Sequence, residues 1–133
     1  MRILWADDEE VIQEIGSSFL LRVGHTVDTA RNNKEALALY EVGAYDLVLT
    51  DEEHIESVWQ NPDGGEGLIL AEALRKKNPQ QRVGFITAHR HQVTGYPTLH
   101  KPFDLEQLLR FVKACTHTDR FGDNCREQAI KLI

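Results

Sequence analysis

The chain has 133 residues, of which 41% are apolar and 27% charged, and it carries a formal net charge of −6. That length suits one ordinary domain with enough apolar material for a single core, which makes disorder an unnecessary assumption. The acidic balance argues against a surface built to grip a nucleic-acid backbone, and no stretch approaches the length of a membrane span.

Apolar runs alternate with amphipathic segments, the pattern of βαβ units around a parallel sheet. Residues 2–6 read as a first strand; the run is too short and wrongly flanked for a signal peptide. A helix is expected from Glu9 to Val23, with Ile12, Ile15, Phe19 and Val23 on one face and Gly24 as its stop. Thr26 to Ala30 is a short second strand. Asn32 or Asn33 can cap a second helix carrying Ala36, Leu37 and Tyr40 and ending at Gly43. Asp46 to Asp51 is the clearest strand, its continuous apolar run suited to a central position covered on both faces.

Residues 52–66 form the longest irregular stretch, with turn chemistry at Asn61-Pro62-Asp63-Gly64-Gly65. A third helix is expected from about Gly67 to Lys77, burying Leu70, Ala71 and Leu74 and ending before Pro79. Arg82 to Thr87 reads as a fourth strand and Thr98 to Lys101 as a weak fifth. Asp104 and Gln107 have the spacing of a capping box for a last helix, whose stripe is Leu105, Leu108, Leu109 and Val112. The expected fold class is α/β, a doubly wound five-stranded parallel sheet. Residues 1–115 form its domain, and 116–133 a tail or short extra helix. Cys115 and Cys125 match no zinc spacing and are expected as reduced thiols in a cytoplasmic protein.

The crossover between strands four and five has only residues 88–97 available. A parallel crossover usually needs about a dozen residues; Gly95 and Pro97 break helices, and Ala88 to Thr94 has no apolar stripe. The helix there is expected to be absent or about one turn long. Ile55, Val58 and Trp59 of the long 52–66 segment are the expected cover for the sheet surface so exposed.

In such sheets ligands bind beyond the carboxyl ends of the strands. Strand one delivers Asp7 and Asp8 there, strand three Asp51, strand four Thr87 and strand five Lys101. Three carboxylates in one pocket raise one another's pKa unless a cation neutralises them. Mg²⁺ fits best, because it takes one or two carboxylates, keeps waters and accepts phosphate oxygens. A carboxylate can act as nucleophile and form an aspartyl phosphate. Lys101 and the cation would then offset charge on the transferring group, and the Thr87 hydroxyl would donate to one of its oxygens.

Asp7-Asp8, Asp51, Thr87-Ala88 and Lys101-Pro102, in this order and each at a strand end, resemble the receiver domain of two-component response regulators over roughly residues 1–115. The resemblance implies a flavodoxin-like receiver fold, here with the fourth helix shortened or missing. It implies Asp51 as phosphoacceptor, Asp8 as a direct Mg²⁺ ligand, Asp7 acting largely through metal-bound water, and the Glu53 backbone carbonyl as another ligand. Thr87 and Lys101 would hold the phosphoryl group. The donor would be a histidine kinase or a histidine phosphotransfer protein, with an unknown protein downstream. Glu53 and His89 stand where side chains flank the path of hydrolytic water in that family. Three departures stand out: the long segment from Asp51 to Gly67, the short one from Thr87 to Lys101, and Thr98 where the family usually has an aromatic residue.

Other patterns carry less. His89 and His91, with His54 and His100, have poor ligand geometry. The 63–67 glycine run lacks the lysine and hydroxyl of a phosphate loop. The expected function is therefore a phosphoacceptor signalling domain that is not itself an enzyme and by itself binds neither nucleic acid nor membrane. The alternative is a phosphorylation-independent interaction module on the same fold.

Overall fold

The computed structural model describes residues 1–51, 66–88 and 95–116. Five strands, β1 (Arg2–Ala6), β2 (Thr26–Ala30), β3 (Leu47–Thr50), β4 (Val83–Thr87) and β5 (Thr98–His100), form one sheet in the order β2-β1-β3-β4-β5. Every neighbouring pair is parallel. Among the described residues there are four helices: α1 (Glu10–Arg22), α2 (Asn33–Leu39), α3 (Glu66–Lys77) and α4 (Leu105–Thr116). The chain leaves β1 in one direction to form β2 and returns to the other side of β1 to form β3, the reversal that opens a crevice at the carboxyl edge of an α/β sheet.

Two cores lie on the two faces of the sheet. On one, Ile3, Trp5, Leu47, Leu49, Ile86 and Leu99 meet Leu20 of α1 and Leu108, Phe111 and Val112 of α4. On the other, Leu4, Val48, Val83 and Phe85 meet Ala36 of α2 and Leu70, Ala71 and Leu74 of α3. β1 and β3 are thus covered on both sides, which is why their sequences are continuous apolar runs. β2 is the edge strand beside them, and its Thr26, Asp28 and Thr29 are exposed. Polar edge residues discourage pairing with a further strand.

The helix starts follow local chemistry. Gln107 N–H donates to Asp104 Oδ1 at 2.7 Å, and Asp104 N–H donates to Gln107 Oε1 at 2.8 Å, so the capping box of α4 is complete. Asn32 caps α2 by accepting from Glu35 N–H at 2.9 Å.

Three expectations need correction. The buried seam of α1 is Gln13, Gly16 and Leu20, with Ile12 and Phe19 half-buried, whereas Ile15 and Val23 are 55% and 43% exposed. Gly16 is the reason: a Cβ there would lie 2.5 Å from the Trp5 ring, so the bare backbone seats the helix on the indole and fixes its rotation. α2 stops at Leu39 rather than at Gly43. Tyr40 leaves the helix with ψ near 128°, and its hydroxyl donates to Gln81 Oε1 at 2.7 Å inside the core. The buried stripe of α4 is Leu108, Phe111, Val112 and Cys115, with Leu105 and Leu109 only half-buried, because the wide Phe111 ring packs over Gly84 of β4.

The expected shortening of the fourth-to-fifth-strand crossover falls largely on residues 89–94, outside the described residues; Ala88 and Gly95 to Pro97 on either side are not helical. The covering role given to Ile55, Val58 and Trp59, and the tail from residue 117, also lie outside them. Tyr96 is packed against Phe85, with ring centroids 5.2 Å apart.

The Gly16 seat gives a direct test. Gly16→Ala gains helix propensity of about 1 kcal/mol but drives a methyl into Trp5, an overpacking cost of about 1–3 kcal/mol. Urea denaturation is expected to show a net loss of stability, whereas Ser18→Ala on the exposed side of the same helix is expected to show none.

Candidate functional site: an acidic pocket at the carboxyl edge of the sheet

The backbone ladder runs one residue past three strands and pins the pocket. Asp7 N–H donates to Ala30 O at 2.9 Å, Asp51 N–H to Ala6 O at 3.1 Å, and Lys101 N–H to Thr87 O at 2.8 Å. The end of β1 is therefore tied to β2, that of β3 to β1 and that of β5 to β4. A side chain adds to this: Gln13 Nε2 donates to Trp5 O at 2.7 Å and to Ala30 O at 2.9 Å, clamping the end of β1 against the end of β2 from the first turns of α1.

Into this frame Asp7, Asp8, Asp51 and Lys101 project together. Carboxylate oxygens of Asp7, Asp8 and Asp51 lie within 4.8 Å of one another, Asp7 and Asp51 buried and Asp8 exposed. Lys101 Nζ donates to Asp51 Oδ2 at 2.9 Å, to Glu9 Oε1 at 2.9 Å and to Asp7 Oδ1 at 3.4 Å. It also stands 3.1 Å from Asp7 Oδ2, without hydrogen-bond geometry. Thr87, at the end of β4, is fully buried. All the expected site residues that are described stand at this edge; Glu53 and His89 lie outside the described residues.

The electrostatics are those of a pocket short of positive charge. Burial pushes the Asp7 carboxyl from 3.8 up to about 6, against the pull of its hydrogen bond from Glu9 N–H and of the Lys101 charge, with Asp51 adding to the rise. Burial opposes the charge on Lys101, yet the charges of Asp7 and Asp51 and the hydrogen bonds to Glu9 and Asp51 outweigh it and hold the ammonium above its ordinary range. Three carboxylates contact one lysine, a fourth, Asp8, lies beside Asp7 and Asp51, and the buried Asp7 Oδ2 accepts no hydrogen bond. An all-oxygen set with one exposed carboxylate and an unsatisfied buried oxygen fits Mg²⁺, a hard cation that keeps part of its water shell. Asp7, Asp8 and Asp51 are the described residues that would hold it.

Sequence reasoning missed three contributors. Gln13 shares the 13, 16, 20 spacing of the buried seam of α1, and a polar residue on that seam is the signal that marks it. Glu9 stands in the sequence only as the first residue of the expected helix, with no signal that marks it as a partner of Lys101. Gly67 opens α3 against the pocket floor: a Cβ there would lie 2.5 Å from Asp51 O and 2.9 Å from the Phe85 ring, so only glycine lets the helix come this close to the Asp51 backbone.

Comparison with known proteins agrees with this arrangement. The sequence profile of the response regulator receiver domain matches residues 3–113. The chain is 34% identical over 119 residues to the response regulator protein PilR of Pseudomonas aeruginosa, covering 84% of this chain and 25% of PilR. It thus spans about a quarter of that relative's length. Its fold is similar to the receiver domain of HemR from Leptospira biflexa, with a TM-score of 0.75, 29% identity and coverage of 90% and 96% of the two chains. It is also similar to TrrA of Thermotoga maritima solved with Mg²⁺ and BeF, at a TM-score of 0.69, 32% identity and coverage of 86% and 97%. TrrA has been solved in complex with the histidine kinase ThkA as well.

The raised Asp7 carboxyl predicts a pH-dependent stability. Between about 4 and about 6 the folded protein holds a proton on Asp7 that the unfolded chain has lost, so this group lowers stability as pH rises through that window. Moving the carboxyl from 3.8 to about 6 corresponds to about 3 kcal/mol. With metal removed by chelator, Asp7→Asn is expected to melt higher than the wild type at pH 7. The difference is expected to fade as the pH is lowered to about 4. Thermal melts across that range check both the sign and the window.

Proposed function

The chain belongs to the response regulator receiver domain family, and on that footing we propose that Asp51 accepts a phosphoryl group in a Mg²⁺-dependent reaction. The observation that carries this reading is the triple of Asp51, Lys101 and the Asp7–Asp8 pair: a buried carboxylate 2.9 Å from an ammonium, with two further carboxylates in reach of one cation. An Asp51 oxygen attacks the phosphorus, the bond from phosphorus to the donor atom breaks, and its electron pair leaves with the donor. Lys101 offsets charge on the phosphoryl oxygens, and the Thr87 hydroxyl donates to one of them. Bound Mg²⁺ supplies charge neutralisation between the carboxylates and the phosphoryl group. The chain is itself the thing modified, not an enzyme turning over a separate substrate.

The donor in this reading is a histidine kinase or a histidine phosphotransfer protein, and the place is the cytoplasm. Among the described residues no helix is long and apolar enough to cross a membrane. Beside the pocket, Ile12, Ile15, Pro102, Phe103 and Leu105 line an apolar groove of about 410 Å³ between α1 and the start of α4. Val11 and Ile15 continue it as exposed apolar surface. Such a patch at the mouth of the pocket suits a helical donor that must bring a phosphohistidine to Asp51. Phosphorylation would then alter contact with an unknown downstream protein.

The test is labelling by acetyl phosphate, followed by intact mass. One phosphoryl group per chain is expected with Mg²⁺ and none in chelator. Asp51→Asn is expected to remain unlabelled, and Asp8→Ala to need far more Mg²⁺. Equal labelling of wild type and Asp51→Asn would overturn the proposal, and binding of a partner unaffected by beryllofluoride would favour a phosphorylation-independent module.

A further inference from the structure

We propose that Glu9 is a positioning residue for this chemistry: its carboxylate holds Lys101 while Asp51 is unmodified, and it is the partner that yields the ammonium to the incoming phosphoryl group. The inference rests on the reading of Asp51 as phosphoacceptor.

A lysine ammonium has three N–H donors. All three are committed to carboxylates here, Glu9 Oε1 at 2.9 Å, Asp51 Oδ2 at 2.9 Å and Asp7 Oδ1 at 3.4 Å. Lys101 can therefore meet a phosphoryl oxygen only by breaking one of these bonds. The three are not equivalent. The side chains of Asp7 and Asp51 are 0% and 1% exposed, and that of Glu9 is 46% exposed. A buried carboxylate that loses its lysine partner has no water to take up the freed oxygen, whereas water takes up the released oxygen of an exposed one. Glu9 is the partner that costs least to give up.

The place of Glu9 in the chain gives it somewhere to go. It is the N-cap residue of α1, where a side-chain oxygen ordinarily accepts from an N–H of the first turn. Glu9 makes no such bond and reaches across the pocket mouth to Lys101 instead. Once released, its carboxylate lies beside the unpaired N–H groups and the positive end of the helix dipole, so the second position is itself favourable. Its backbone N–H stays tied to Asp7 Oδ1 at 2.9 Å, which leaves the side chain alone to swing. In the reaction with acetyl phosphate, an Asp51 oxygen bonds to phosphorus and the phosphorus–oxygen bond to the acetyl group breaks. Acetate departs with that electron pair, while Lys101 passes from Glu9 to a phosphoryl oxygen.

The experiment compares wild type, Glu9→Gln and Glu9→Ala, with Glu10→Gln as the control for net charge, since Glu10 is paired with Arg31 away from the pocket. Each is labelled at saturating Mg²⁺ with acetyl phosphate and with the less charged donor phosphoramidate, at low and high salt. Both Glu9 variants are expected to label about two- to five-fold faster with either donor at either salt, the span of an exposed ion pair. Glu10→Gln is expected to match wild type. A second readout needs neither metal nor donor: acylation of Lys101 by an active ester, read by peptide mass against exposed Lys34, is expected to rise by a similar factor in the Glu9 variants. Normal labelling of wild type with equal or slower labelling of the Glu9 variants overturns the role of Glu9. Acceleration seen only with acetyl phosphate and lost at high salt also overturns it, because that is charge repulsion at the pocket mouth. Wild type that takes no label at all overturns instead the reading of Asp51, and this inference with it.

Discussion

The structure turns on one ammonium group. Lys101 is nearly buried, and it is held between the ends of β1 and β3 although its own strand, β5, is separated from β3 by β4. Strand spacing of about 4.8 Å puts β5 roughly 10 Å from β3, so only a long side chain laid across the end of β4 can close that gap. The three strands must then end at one level. That requirement explains why each site residue also carries a backbone hydrogen bond to its neighbouring strand, and why Gln13 spends its amide on two strand-end carbonyls.

Burying three charges is costly, and the return is incomplete. Partnered buried ions seldom stabilise a fold relative to well-packed apolar groups, and here the carboxylates outnumber the cation. Asp7 is driven toward its neutral form, and one of its oxygens has no hydrogen bond. A sequence selected for stability alone would not keep this arrangement. It becomes reasonable under the proposed function, in which a divalent cation and then a phosphoryl group would complete the pocket, each supplying what the resting protein lacks.

What could be read from the sequence follows from how local each signal is. Strand ends carrying Asp7, Asp51, Thr87 and Lys101 are legible because a short apolar run and the residue after it are neighbours in the chain. The α4 capping box is legible for the same reason, spanning three residues. The rotation of α1 was not, because it is decided by the fit of Gly16 to Trp5 across the core rather than by the apolar count of the helix itself. Glu9 reads as one acid among several until Lys101 is folded over it. The close approach of α3 to Asp51 at Gly67 is likewise a tertiary fact that the residue type permits but does not announce.

The side of the sheet beyond Thr87 shows the same division between local pattern and long-range fit. Thr98 occupies a position where the family usually has an aromatic ring, and it is buried, its hydroxyl donating to Tyr96 O at 3.3 Å. An aromatic ring is nonetheless present on this face, supplied two residues earlier: Tyr96 packs on Phe85, and the Arg75 guanidinium of α3 lies 5.9 Å from its centroid. Phe85 also touches the space that Gly67 leaves open above Asp51. One packed path, Gly67 to Phe85 to Tyr96 to Arg75, therefore links the floor of the pocket to the outer surface of α3. Glycine at position 67 leaves no slack between the helix and the Asp51 carbonyl, so the pocket floor and this packed path share one close contact.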